Sequence, residues 1–183
     1  MLHHERYRFC PCCGSEYGAG AHHPSGGHLH CQSCAYRFYQ NAKPSCTAVI
    51  ADPGDPERIL LLTRSTQPHI GKLALPGGFI DYGESPEAAL AREVLEETEL
   101  EVVSSRLLCV TSFDYEYLGG SLAVIEMAFW ADVGSSRLSG RTTSEASRLA
   151  FYSIQETLAD VSQLAFAGHA SVLRQYLTAL QNG

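Results

Sequence analysis

PGGFIDYGESPEAALAREVLEETEL, residues 76–100, reads as a glycine-rich turn, a short loop and an acidic helix. Ser85 is placed to cap the first helical amides. Pro86 falls at the first helical position, where a missing N–H costs nothing, and Glu87 is favoured there by the helix dipole. Farther along, Glu93, Glu96 and Glu97 are related by i, i+3 and i+4, which puts their carboxylates on one face within about 6 Å of each other at Cβ. Three like charges that close need something to cancel them. Glu87, Leu90, Ala91, Val94, Leu95 and Thr98 form a mostly apolar opposite face, expected to pack on a sheet with the carboxylates outward.

The loop ahead of the helix is equally specific. Gly77 and Gly78 let backbone come close to a ligand, and Gly83 allows a turn just before Glu84. Carboxylates clustered beside exposed backbone carbonyls make a hard-oxygen site, which suits Mg²⁺ or Mn²⁺ and a phosphate-bearing substrate better than zinc. The competing reading is a solvated amphipathic helix with idle glutamates.

Gly78, Glu84, Arg92, Glu93, Val94, Glu96, Glu97 and Leu100 stand at the positions of the Nudix box, and on these residues the chain resembles the Nudix hydrolases. One position departs from the pattern. Glu99 replaces the closing glycine, at a cost of roughly 1 kcal/mol if a left-handed helix end is kept. The resemblance implies an α+β fold, a Nudix α/β/α sandwich with a mixed sheet. It also implies a catalytic set of Glu93, Glu96, Glu97 and Arg92, with Glu93 and Glu97 as metal ligands, Glu96 as ligand or base, and the Gly77 carbonyl as a backbone ligand. Glu84 binds a further ion in this scheme, and Arg92, which can reach Glu96 one turn on, orients carboxylates rather than substrate.

A chain of 183 residues, 45% apolar, holds one main domain plus a small module. Its formal net charge of −7 speaks against nucleic acid as a non-specific partner, since phosphate backbones are gripped by excess Lys and Arg. A polyanionic small-molecule nucleotide must then be held locally. No hydrophobic run approaches a membrane span and MLHHERYRFC lacks the apolar core of a secretion signal, so a cytoplasmic protein without a membrane partner is expected.

Residues 9–39 form a unit of their own, in which Cys10-x-x-Cys13 and Cys31-x-x-Cys34 have the spacing of a zinc site. Four thiolates complete a closed tetrahedral Zn²⁺ site, and so short a segment would hardly fold without one. Cys12 is the spare thiol; His22, His23, His28 and His30 are expected to be solvent-exposed loop residues, and redox sensing is the alternative use of the cysteine pairs. The boundaries read as a zinc ribbon over 1–40 and a Nudix domain over 41–183. A ribbon passing through Tyr39-x-Asn41-x-x-Pro44 into such a domain resembles NADH pyrophosphatase-type Nudix proteins and short zinc-ribbon Nudix enzymes acting on FAD or ADP-ribose. The ribbon's role is then structural or homodimer-forming, with nucleic-acid reading a minor option given its few basic residues.

Elsewhere, 45–51 and 58–63 read as strands around a Pro/Gly/Asp turn, with Cys46 buried. Arg64 follows the second strand, where it can reach a diphosphate or form a surface ion pair. Residues 107–117 and 122–133 read as a hairpin about 118–121. Phe113, Tyr115 and Tyr117 share one face of it, as a stacking wall for a base or as ordinary strand packing, and Cys109 reads as core. Residues 137–147 are loop-like, 151–154 resemble the last Nudix strand, and Glu145 just before it resembles a glutamate that assists metal or water in some family members. Residues 162–180 read as a covering helix.

The implied reaction is metal-assisted hydrolysis of a nucleoside diphosphate derivative, with Gly78 and Arg64 against the phosphates and Phe113 and Tyr115 against the remainder. NADH pyrophosphatases carry a Ser-Gln-Pro-Trp-Pro-Phe-type motif after the box; here Thr111-Ser112-Phe113-Asp114-Tyr115 stands in that region. This leaves ADP-ribose or FAD ahead of NADH and NAD-capped RNA. A non-catalytic nucleotide sensor is the reading from a different class.

Overall fold

The computed structural model describes residues 7–18, 21, 27–117, 119–134, 138 and 146–182. Glu145, His22, His23 and the Tyr117 side chain lie outside the described residues. The chain divides into two compact units, Met1–Lys43 with Asp114–Ala123, and Pro44–Phe113 with Val124–Gly183.

The larger unit rests on strands that are apolar in both phases. Ile59, Leu60, Leu61 and Leu62 of β5 (Asp55–Arg64) are each at most 1% exposed, a run that a strand can bury only when both of its faces are covered. Alternation then sorts the side chains. Leu60 joins Cys46 and Ala48 of β3 (Lys43–Val49) and Phe129 and Ala131 of β9 (Gly120–Val133) in a core closed by Ala89, Leu90 and Val94 of α1 (Pro86–Thr98). Ile59 and Leu61 turn the other way, joining Val49 and Ala128 under Ile154 of α2 (Ile154–Ala159) and Val172, Leu173 and Tyr176 of α3 (Ala167–Asn182). Helix, sheet and helix are thereby layered, the sandwich expected from the box. Each fully buried aliphatic side chain contributes about 1.5–3 kcal/mol.

Two sheets supply the middle layer. One has the order β10–β5–β4, with β4 at Ala51–Asp52, β10 at Ala146–Ser153, and β6 (Leu73–Ala74) also on β5. The other has the order β7–β3–β9–β8, with β7 at Gly77–Phe79 and β8 at Val102–Tyr117. Between Ala74 and Gly77 the chain therefore leaves one sheet and enters the other. The strands expected over 45–51 and 58–63 and the hairpin are observed; β8 starts five residues early, at Val102 rather than 107, and His28 and His30, expected as exposed loop residues, lie partly buried in a strand. Cys46 is buried as expected, while Cys109 is partly buried against the α3-side core. Among the described residues no helix is long and apolar enough to cross a membrane.

α1 starts as its sequence dictates, with Ser85 in extended conformation accepting a hydrogen bond from Ala88 N–H at 3.2 Å. Its packing face differs from the expected one. The buried residues are Ala89, Leu90, Val94, Glu97 and Thr98, whereas Leu95 is 49% exposed and Glu87 faces solvent. The stripe is rotated because Glu97, although charged, finds a backbone donor in the interior, described below, and so takes a place that hydrophobicity alone gives to Leu95.

In the smaller unit, β1 (His28–His30) pairs antiparallel with β2 (Arg37–Tyr39), and Phe9 bridges Glu16. Cys10, Ala21, Leu29 and Cys31 are its buried apolar residues among those described. That is too small a core to hold a fold alone.

Glu99 keeps the left-handed conformation, with φ 60°, and its N–H closes onto Leu95 O at 2.9 Å, so the helix ends as a glycine would end it. Glu99→Gly is expected to raise stability by about 1 kcal/mol, or roughly 2–4 °C in Tm, measured by thermal unfolding.

Candidate active site and metal centre

The glycine turn is seated by β3. Cys46 pairs with Gly78 and Thr47 with Gly77, while Pro76 O accepts from Ala48 N–H at 2.8 Å and from Thr47 Oγ1 at 3.1 Å. Gly77 has φ 144°, and a methyl there would fall on the Cys46 carbonyl and 2.7 Å from Thr47 Cα. No other residue fits. At Gly78 the obstacle is different: a methyl would lie 2.5 Å from Glu93 Oε1. The strand and α1 thus approach closely because position 78 has no side chain, and the space is taken by a carboxylate.

Two hydrogen-bonding groups fix the acids. Gly77 N–H donates to Glu97 Oε2 at 2.8 Å, and Glu97 is only 5% exposed. Arg92 does the rest: Nε donates to Glu84 Oε1 at 3.0 Å, one terminal nitrogen donates to Glu84 Oε2 at 2.9 Å and to Phe79 O at 3.2 Å, and the other donates to Glu93 Oε1 at 2.8 Å. Glu96 lies 3.5 Å from that last nitrogen and its side chain is 61% exposed. The expected i+4 contact therefore exists, but the forked pair with Glu84, eight residues back, is shorter. These bonds to Glu84 and Glu93 push the Arg92 guanidinium pKa well up, and the Arg92 hydrogen bonds hold the Glu84 carboxyl below the usual carboxylate range. Desolvation drives the adjacent Cys46 thiol up to about 11, leaving it an inert core residue.

Gly77, Gly78, Glu84, Arg92, Glu93, Glu96 and Glu97 are thus brought together by β7, α1 and the loop between them. Arg64 and Phe113 belong to a second group built on Phe166, a residue the sequence reading passed over. The Arg64 guanidinium lies 5.2 Å from the Phe166 ring centre with Nε donating to Pro68 O at 2.9 Å, and Phe113 stacks on Phe166 at 5.4 Å. The partners of Arg64 among the described residues are a carbonyl and a ring, which hold its guanidinium in place. Tyr115 is partly exposed.

Also missed were Glu126 and His169, 4% and 2% exposed and 3.3 Å apart. The signal for Glu126 was available: it occupies the buried phase of β9, between Val124 and Ala128.

The four cysteines of the smaller unit converge, with all Sγ atoms within 4.8 Å of one another and the pairs Cys10–Cys34 and Cys13–Cys31 at 3.8 and 3.6 Å. A tetrahedral ion with about 2.3 Å bonds to sulfur sets its ligands about 3.8 Å apart, so this donor set fits Zn²⁺. Gly14 (φ 75°) and Ala35 (φ 61°) make the left-handed step after each pair. Hydrogen bonding with Ser15 lowers the Cys13 thiol to about 6, whereas desolvation and the neighbouring sulfurs push the Cys34 thiol up to about 12. Cys12 is exposed and outside the cluster. At the other site the donors of α1 are carboxylate oxygens beside a peptide turn, the chemistry a hard divalent cation takes.

A turn that only glycine can make, locked to a helix whose acids share one arginine, defines a protein class, and the comparison with known families agrees. The NUDIX domain model matches residues 42–176, and the chain belongs to that family. Among its relatives, the ADP-ribose pyrophosphatase of Methanocaldococcus jannaschii is 32% identical over 143 residues, covering 78% of this chain and 77% of that protein. The NAD-capped RNA hydrolase NudC of Pseudomonas fluorescens is 33% identical over 141 residues, covering 69% of this chain and 49% of the relative. The chain thus spans about half the length of that relative. A NUDIX hydrolase from Nitrosomonas europaea matches with a TM-score of 0.70 at 25% identity, over 96% of this chain and 93% of that one.

The two glycines separate fold from site. Gly77→Ala is expected to destabilise by more than about 2 kcal/mol, because backbone must move. Gly78→Ala should leave Tm nearly unchanged but displace the Glu93 carboxylate, weakening divalent-cation binding about 10- to 100-fold by calorimetric titration.

Proposed function

We propose that the chain is a divalent-metal-dependent pyrophosphohydrolase that cleaves the diphosphate of a nucleoside diphosphate derivative and releases a nucleoside monophosphate, with ADP-ribose or FAD favoured. The observation that carries this reading is the lock between the Gly77 amide, Glu97 and the Arg92-held acids Glu84 and Glu93. Glu93 and Glu97, with Glu96 and the Gly77 carbonyl, would hold Mg²⁺ or Mn²⁺, and Glu84 a further ion. Ions bound there supply charge to a diphosphate and make water more acidic.

The residues themselves do the positioning. Arg92 neutralises part of the acid cluster and, with its nitrogens already bonded to Glu84, Glu93 and Phe79 O, orients carboxylates rather than touching substrate. Glu97 is anchored by one oxygen so that its side chain cannot wander. Glu96, the most exposed of the acids bonded to Arg92, is the one with room to take a proton from water. Arg64, Gly78, Phe113 and Tyr115 remain the proposed substrate contacts, with Phe166 added as the ring against which Phe113 and Arg64 are stacked. Glu145 keeps its proposed role near metal or water. Residues 1–40 are proposed to be a structural Zn²⁺ ribbon through Cys10, Cys13, Cys31 and Cys34, able to serve a homodimer, with 41–183 as the catalytic domain.

A second reading, an NAD(H) pyrophosphatase or NAD-cap hydrolase, is favoured by the match to the NudC relative and keeps RNA within the range of substrates to be tested. Incubation with ADP-ribose, FAD, NADH, NAD⁺ and NAD-capped RNA in Mg²⁺ or Mn²⁺, with products separated by chromatography, decides between them. Binding of ADP-ribose without any product over hours would instead favour a nucleotide sensor.

Glu97→Gln loses a charge and almost no volume, and its amide oxygen can still accept from Gly77. The expected outcome is a loss of at least about 100-fold in kcat with an unchanged melting curve; full activity would overturn the ligand assignment. Elemental analysis should find about one zinc per chain, and Cys13→Ser should lose it together with the fold of the smaller unit.

A further inference from the structure

Where the chain crosses between sheets, Leu75 has left the pairing of β6 with β5 and not yet reached that of β7 with β3, so neither pairing supplies an acceptor for its N–H. A buried side chain takes that role. Leu75 N–H donates to His169 Nδ1 at 3.3 Å, in the first turn of α3, and His169 Nε2 lies 3.3 Å from Glu126 Oε1 on β9. Because Nδ1 is the acceptor, the ring proton sits on Nε2 and is donated to Glu126. The segment leading into α3 is also zipped to β6, with Ala165 N–H donating to Leu73 O at 2.8 Å and Leu73 bridging Leu164 in parallel. Close approach of α3 to β8 depends on Gly168, where a methyl would meet Thr111 Oγ1 at 3.1 Å and Phe113 Cδ1 at 3.2 Å.

Pro76 has no N–H, so Leu75 carries the last amide donor before the Gly77 amide that holds Glu97. We propose that Glu126 and His169 are positioning residues for the hydrolase site: Glu126 fixes the tautomer of His169, His169 holds Leu75, and the Leu75–Pro76 segment sets where the Gly77 and Gly78 peptides stand against Glu97 and Glu93. The proposal rests on the hydrolase reading above for its kinetic consequence, but its structural part is independent of it. Neither residue touches substrate or metal in this scheme. An imidazole buried at 2% exposure on the far helix layer acts on α1's acids through two residues of backbone.

The test compares His169→Phe, His169→Gln and Glu126→Gln in the full chain. His169→Phe keeps the ring volume but offers Leu75 no acceptor. It should lower kcat about 10- to 100-fold with KM for the nucleotide within about twofold, and His169→Gln, whose amide oxygen can accept from Leu75, should recover part of that loss. Amide resonances of Gly77 and Gly78, recorded without nucleotide or metal, should move in His169→Phe and return toward wild type in His169→Gln. The ¹⁵N resonances of the imidazole should report an Nε2 proton in the wild type and a mixed tautomer in Glu126→Gln. If His169→Phe fails to fold, His169→Gln and Glu126→Gln carry the same readouts. Unmoved Gly77 and Gly78 resonances, or turnover within twofold of wild type in a folded variant that gives Leu75 no acceptor, would overturn the proposal. A wild-type chain that hydrolyses no nucleotide would remove the hydrolase reading, and the resonances would still decide the coupling.

Discussion

Burying a carboxylate is expensive unless a good donor meets it, and in this molecule the peptide N–H of Gly77 is aimed at Glu97. Helix, turn and strand are all answerable to that bond. Glu97 can lie in the packed face of α1 only because the amide is there, and the amide is there only because Gly77 adopts a backbone angle closed to other residues. The strand in turn can come so close because Pro76 O is held by two donors of β3. Remove the bond and a buried charge on the helix loses its backbone donor.

Around this bond the double-sided burial of the sheet does the supporting. β3, β5 and β9 send one phase of side chains to α1 and the other to α2 and α3, so the two helical layers compress the strands that carry the turn. Tight packing transmits such constraints, since a core at near-crystalline density gives way in steps rather than smoothly. The crossover at Leu75 lies where the two sheets hand over, which is why a side chain from α3 completes it.

Much of this was legible beforehand. The N-terminal start of α1, the glycine turn, the cysteine spacing and the strand pairs all follow from local chemistry, and the acids at 93 and 97 follow from helical spacing. What local pattern could not supply was depth. Leu95 and Glu97 are two residues apart on one helix, and hydropathy assigns the first inward and the second outward; the reverse holds because a backbone amide twenty residues earlier in the chain reaches Glu97. Arg92 was read against Glu96, its neighbour one turn on, whereas its best partner is Glu84, brought near by the loop. Phe166, Glu126 and His169 escaped because their meaning lies in contacts between β8, β9 and α3, separated by some forty residues or more. Glu126 alone left a trace, a charge in the buried phase of a strand.

The Arg92 clasp has an implication for the order in which things bind. Glu84, Glu93, Glu96 and Glu97 outnumber the one guanidinium among them, so a diphosphate arriving on its own meets a surface of its own sign. On the proposed hydrolase reading, multivalent cations held there would reverse that sign, and the polyanion in turn would make their residence more favourable. By thermodynamic linkage each would raise the affinity of the other by the same factor, so apparent nucleotide affinity would climb with free cation concentration and the reverse would hold equally.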